Sequence, residues 1–318
     1  MILSYEEMNK ALTFLRYKLS KYGEIDERLR GWHWYEPPVE PPSTSLHLSV
    51  SEIAYRYCPT MRDIYLKRVE RITPTPSIAM IEGKIYHEII KYVTLLAKRL
   101  IYNEQVKAGA DLFIELLEKG TNTITKILKE LTQTSSITDT NKEIAKIYNK
   151  AISLWKFISL QIASKYDAIL SKYSKVNPDT IANLTTTYIS ERIIDGSRIG
   201  LSNRLSIDAV DPGNILIEIK TGREEYFHKL ALAGYALALE SESNLPVDFA
   251  LLLYMHINTS PIPIVKAKPI LIADEYRKEF LELRDKAMAL IINEKDPGTP
   301  RKCHTSCPFF PYCRGISK

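Results

Sequence analysis

The chain lacks any apolar run long enough to cross a membrane. Such a helix needs about 20 consecutive apolar residues, and the strongest run, FALLLYM at 249–255, reads as a buried strand. The opening MILSYEEMNK has neither a basic start nor an apolar core, so no secretory leader is expected in it. Glycine is absent between Gly120 and Gly196, which favours a helical insertion there over a second α/β domain. Internal repeats and low-complexity tracts are missing as well. Cysteine is scarce, with four in 318 residues. A cytoplasmic location is expected, without membrane attachment, and disulfides are rare there, so clustered thiols point to a metal or cluster. No long basic tract carries the net charge of +5, which is compatible with a polyanionic partner without requiring one.

What is present is ordinary for a folded protein: 45% hydrophobic and 25% charged residues, in a length suited to one large domain or two smaller ones. Residues 1–30 read as a charged helix or two. WHWYEPPVEPPSTS, 32–45, reads as a stiff extended connector because of its prolines, with its aromatics packed on the body. Ser51 is the expected N-cap of a helix carrying Ile53, Ala54 and Tyr57. Residues 81–105 form a strongly amphipathic helix through Ile85, Ile89, Val93, Leu96 and Leu100. The helical pattern continues to about 175, with a polar break at 132–141.

From Thr185 the pattern changes to short β-rich segments, TTTYISERII, RIGLSNRLSIDAV and NILIEIKTG, with a turn at DPGN. A helix over 223–242, a strand over 248–257 and a last helix over about 274–295 follow.

Three cysteines crowd the C-terminus as Cys303-x₃-Cys307-x₅-Cys313, and the fourth, Cys58, lies far upstream. Spacing alone leaves three readings open. The tail trio joins Cys58 in an iron–sulfur site; it forms a tetrahedral zinc site with Cys58 or His304; or the thiols are unligated packing groups.

A second constellation sits in LSIDAVDPGNILIEIKTGR, 205–223. Glu218 and Lys220 alternate with Ile215, Ile217 and Ile219, and Asp208 comes from the preceding strand. The bland reading is a solvated carboxylate–lysine pair. The chemical reading is a divalent-metal site, because two converging carboxylates repel unless a cation lies between them. Oxygen ligands suit Mg²⁺, and an imidazole such as His87 of GKIYH shifts the choice towards Mn²⁺. Lys220 beside the metal is the toolkit of phosphodiester hydrolysis. The geometry has one requirement. A two-residue loop at Pro212–Gly213 would pair Asp208 with Ile217 and put Glu218 on the other face, so an odd-length loop or a bulge is needed.

The ordered set SEIAYRYCPTMRDIYL, GKIYH, ISERII with Glu191, SIDAV, IEIKTG, HKLALAGYALALE and the cysteine tail resembles the PD-(D/E)XK nucleases of the RecB branch. It is most similar to the iron–sulfur CRISPR-associated exonucleases called Cas-four, in their archaeal Csa-one subgroup. The resemblance covers roughly 46–318. It implies an α/β, restriction-endonuclease-like core: a mixed sheet flanked by helices, with a helical insertion at about 100–178 and a cluster-bound tail at 300–318. Residues 1–45 would be an N-terminal arm and connector.

The resemblance also implies metal ligands His87, Asp208 and Glu218 for Mn²⁺ or Mg²⁺, a catalytic Lys220 and a supporting Tyr235. Cys58, Cys303, Cys307 and Cys313 would hold one [4Fe–4S] cluster. Arg223, Lys220 and His228 would meet DNA. The implied activity is a metal-dependent DNA exonuclease, with endonuclease action on single strands. It would act on single-stranded or end-frayed DNA before spacer integration, alongside the integrase proteins of CRISPR adaptation in antiviral defence. Ala231 stands where the family has a glutamine four residues before the tyrosine, which keeps open a DNA-binding subunit that cuts weakly or not at all.

Overall fold

A five-stranded mixed sheet runs in the order β1–β2–β3–β4–β5 through the computed structural model. The model describes residues 5–55, 58–74, 76–133, 141–186, 189–211, 213–257, 262–303 and 307–315. Tyr57, Pro212, His304 and most of the polar break at 132–141 lie outside the described residues. The N-terminal half is helical: α1 (Tyr5–Tyr22), α2 (Val50–Ala54), α3 (Arg62–Arg68), α4 (Ile78–Tyr102), α5 (Gly109–Gln133), α6 (Asn141–Lys172) and α7 (Pro178–Thr185). The sheet follows as β1 (Ile189–Ile194), β2 (Leu205–Val210) and β3 (Leu216–Lys220), then α8 (Phe227–Ser243), β4 (Phe249–His256) and β5 (Ile264–Leu271). Helices α9 (Asp274–Asn293) and α10 (Phe310–Cys313) close the chain. No helix among the described residues is long and apolar enough to cross a membrane.

Among the described strands, β3 and β4 are the parallel pair, and α8 makes the crossover between them. These two strands are buried on both faces, which is why β4 reads as a continuous apolar run, whereas β3 carries Glu218 and Lys220 among its aliphatics. On one face Ile217, Ile219, Leu251 and Leu253 share one apolar cluster with Ile85 and Ile89 of α4, Leu112 of α5, Trp155 of α6 and Ile181 of α7. On the other, Leu216, Ala250 and Leu252 meet α2, α8 and α9 through Ile53, Leu232 and Phe280. Each such aliphatic side chain contributes about 1.5–3 kcal/mol by leaving water. Before β1, the described part of the glycine-free stretch is largely helical: α6 spans 32 residues and packs along both α5 and α4.

Two local expectations are corrected. Ser49, not Ser51, caps α2: its hydroxyl accepts the Glu52 N–H while the Glu52 carboxylate accepts the Ser49 N–H, a reciprocal capping box. The 32–45 stretch does not run extended. A 3₁₀ turn at Gly31–His33 leads into further turns that bring Val39 into the core, fully buried. Of its aromatics, Trp32 lies under Arg30 and Trp34 under Arg198, while Tyr35 is exposed and meets Trp34 of its own segment.

Candidate active site

The turn between β2 and β3 decides which side chains meet. Asp211 N–H bonds the Ile215 carbonyl at 3.0 Å, Asn214 N–H bonds the Asp211 carbonyl at 2.9 Å, and Asn214 takes a left-handed φ of 59°. With Asp211 bonded to Ile215, three sequence positions separate the paired residues, the odd number that the site requires. The ladder pairs Ala209 with Ile217 and Val210 with Leu216, so the next position along opposes Asp208 to Glu218. The regular ladder stops there, and the Asp208 carboxylate accepts the Ile219 N–H at 2.8 Å.

Helix α4 supplies His87, whose Nδ1 lies 2.9 Å from Asp208 Oδ1. At the end of β3, Lys220 Nζ donates to Glu218 Oε1 at 2.6 Å and to the Tyr55 hydroxyl at 3.2 Å. Glu218 is 5% exposed, and its Oε2 is buried with no hydrogen-bond partner. Tyr235, half-buried on α8, is near enough for Glu218 to raise its pKa.

The electrostatics split the two acids. Burial pushes the Asp208 pKa up, but His87, Lys220 and the Ile219 N–H outweigh it and leave the carboxyl below its ordinary value. Burial and the Asp208 charge raise Glu218 against the pull of Lys220 and His87. Burial lowers His87, yet the two carboxylates hold it above the usual imidazole range. Lys220 rises well above its ordinary value despite burial, because Glu218, Tyr55 and Asp208 face it. Tyr235 is also raised well above the usual phenol range, first by burial and then by Glu218. Among the described residues, no three His, Cys, Asp or Glu side chains stand in a coordinating array. Asp208 is turned to His87, and Glu218 to Lys220.

The other expected contacts divide. Arg223 is exposed just beyond Lys220. His228 is 6% exposed, its Nδ1 2.9 Å from the Tyr254 hydroxyl. Burial and then the Lys220 charge push its pKa down to about 4, and a neutral, enclosed imidazole offers a phosphate no charge. Ala231 is buried in α8 and leaves no polar group at that position. Glu191 pairs with Lys91 at 2.5 Å and takes a left-handed φ of 52° within β1. Sequence reasoning missed the link from Tyr55 to Lys220; its only signal was a tyrosine three residues before Cys58, which spacing alone does not connect to the lysine.

Among the described residues, the cysteines lie near enough to shift one another's thiols but are not set in a coordinating array. Cys307 is buried with Phe309 against Tyr65 and Leu66 of α3, and Cys313 packs on the same cluster. The Cys303 thiol is raised by burial and then by Cys313 and Cys58. Burial, Asp63, Cys303 and Cys58 push Cys307 up to about 11. Arg62 Nη1 donates to Cys313 Sγ at 3.3 Å, and Cys58 Sγ lies 3.3 Å from the Thr60 hydroxyl. Arg62 also binds Asp296 at 2.8 Å, and Thr60 donates to the Gly298 carbonyl at 2.9 Å, so the residues after Cys58 are tied to the approach to the tail.

Comparison with known proteins finds a match over residues 1–316 to the family described as CRISPR-associated exonuclease Csa1. A protein of that description from Saccharolobus solfataricus is 34% identical over 290 residues, covering 91% of this chain and 92% of the relative. Another, from Thermoproteus tenax, is 28% identical over 291 residues, covering 92% of each.

Proposed function

The chain belongs to the CRISPR-associated exonuclease Csa1 family, and on that premise we propose that it is a CRISPR-linked exonuclease, a divalent-metal-dependent deoxyribonuclease with a PD-(D/E)XK-type core. The observation that carries this reading is Glu218. A buried carboxylate oxygen without a partner, across the ladder from a second carboxylate, is a place where a cation would be stabilising. His87, Asp208 and Glu218 would hold Mn²⁺ or Mg²⁺; the nitrogen and two carboxylates suit either ion. Such an ion supplies Lewis acidity towards a phosphoryl oxygen.

The protein's own groups do the rest. Lys220, kept cationic by Glu218 and Asp208, sits to neutralise charge developing on the phosphate. Tyr55 also holds the ammonium through its hydroxyl at 3.2 Å. The Ile219 N–H orients Asp208. Tyr235, with its proton held, is an uncharged hydroxyl donor beside them. Arg223 lies exposed towards solvent, where a strand would approach.

The substrate we assign is single-stranded or end-frayed DNA, processed before spacer integration in the company of the integrase proteins. Cys58, Cys303, Cys307 and Cys313 would hold a [4Fe–4S] cluster, since four buried or half-buried thiols sharing one locale match its ligand number. A second reading, a DNA-binding subunit that cuts weakly or not at all, is favoured by Ala231 alone. The variant Glu218→Gln separates them. Loss of Mn²⁺-dependent cleavage with DNA affinity retained supports the nuclease; a purified wild-type chain inert with Mn²⁺ and Mg²⁺ supports the subunit.

A further inference from the structure

Beyond His87, the exposed face of α4 continues away from the candidate site. At 100° per residue, Lys84, His87, Lys91, Leu95, Lys98, Arg99 and Tyr92 fall on one stripe, which also holds Glu88. Lys91 is occupied by Glu191 and Glu88, whereas Lys84, Lys98 and Arg99 have no ion-pair partner among the described residues. The stripe ends in a groove of about 610 Å³ between α4 and α5, floored by Trp155. Tyr92, Leu95 and Arg99 form one wall, and Lys119, Asn122 and Thr123 lie on the other with Glu118. Tyr92 is 39% exposed and Leu95 50%, so two apolar side chains stand in solvent among cations.

We propose that this groove carries the single-stranded DNA beyond the cleaved end, with a base stacked on Tyr92 and the backbone held by Arg99. The inference rests on the nuclease reading of the site. An aromatic ledge among unpaired cations is the chemistry that grips single strands without reading sequence. Distance adds to this: Arg99 lies about 18 Å along α4 from His87, within reach of a strand leaving the candidate site. Two helices of the long insertion, α5 and α6, build the far wall and floor, which gives that insertion a role in holding substrate.

The test is fluorescence anisotropy on the full chain carrying Glu218→Gln, with a long oligothymidylate and with a trinucleotide, over a salt series. Adding Tyr92→Ala should weaken the long strand about ten-fold. Arg99→Gln should make the slope of log affinity against log salt shallower by about 0.7. The trinucleotide should be unaffected by either, and Lys278→Gln on α9 should change nothing. Affinities and slopes within about two-fold of the parent would overturn the proposal. Equal loss for the trinucleotide would also overturn it, by placing the effect at the site and not along the groove. Binding is read without cleavage, so the failure of the nuclease reading would leave this result standing and distinguishable.

Discussion

The Tyr55 hydroxyl lies 3.2 Å from Lys220 Nζ, joining residues 165 positions apart at the edge of the candidate site. Lys220 has two side-chain contacts in this arrangement, Glu218 and Tyr55. Replacing Tyr55 with Phe keeps the ring that packs on Phe227 and removes only the hydroxyl. The expected outcome is a fall of about ten-fold in single-turnover cleavage, the equivalent of one lost hydrogen bond, with the melting temperature nearly unchanged. A variant as fast as the parent would mean that Glu218 alone positions the lysine.

Glu52 makes the fold acid-sensitive. Burial works to raise its pKa, but Arg68, the Ser49 N–H and Lys67 together bring it down from 4.5 to about 2. The folded value lies below the unfolded one. Its stabilisation is therefore fully present above about pH 4.5 and is lost as pH falls towards 2. The shift corresponds to about 3 kcal/mol, since its side chain is only 8% exposed. Urea unfolding of the wild type and Glu52→Gln should differ by that order at neutral pH, and the gap should close through the acid window. A gap independent of pH would remove the charge from the explanation.

At Gly31 a single methyl group should be enough to disturb the packing of the N-terminal segment. A Cβ there would lie 1.9 Å from the Leu237 carbonyl oxygen, which belongs to the α8 backbone and cannot swing aside. The Gly31 N–H donates to Glu240 Oε2 at 2.9 Å, and the same carboxylate binds Arg30 and Arg277. Gly31→Ala should cost about 3 kcal/mol, read as a lowered melting temperature and faster proteolysis near residues 25–35.

Removal of one upstream thiol should release the tail. Anaerobically purified wild type is expected to be brown, with about four irons per chain. Cys58→Ser should be colourless, with iron near background and the chain beyond Asn293 open to protease. A colourless wild type with a single zinc would replace the cluster with a structural zinc centre, and unchanged iron in Cys58→Ser would take Cys58 out of the ligand set.

Most of this architecture was legible wherever the sequence has strong periodicity. The α4 pattern and the aliphatic alternation of β3 each lead straight to the observed element. The meeting of Asp208 and Glu218 was legible because charges interrupting an apolar strand are costly unless they have a use. β5 was not legible. Its sequence IVKAKPIL mixes lysines and a proline into an edge strand that is largely open to solvent, so no hydrophobic alternation marks it. The 32–45 stretch misled because proline fixes φ but not the direction of a turn, and the tertiary contacts of Val39 decide that. Ser49 was passed over for Ser51, although Ser49-x-x-Glu52 is the box signature; two serines two residues apart compete, and only the position of Glu52 chooses between them.

The three-residue turn after β2 has a consequence of its own. Strand pairing is binary in parity: add or remove one residue between Asp211 and Ile215, and Asp208 and Glu218 point to opposite sides of the sheet. A single-codon deletion between the two strands would then silence the site while every acid and lysine in it remained encoded. Among relatives of this chain, a complete set of motifs is therefore not sufficient grounds to infer a working nuclease; the number of residues between the two strands must be counted as well.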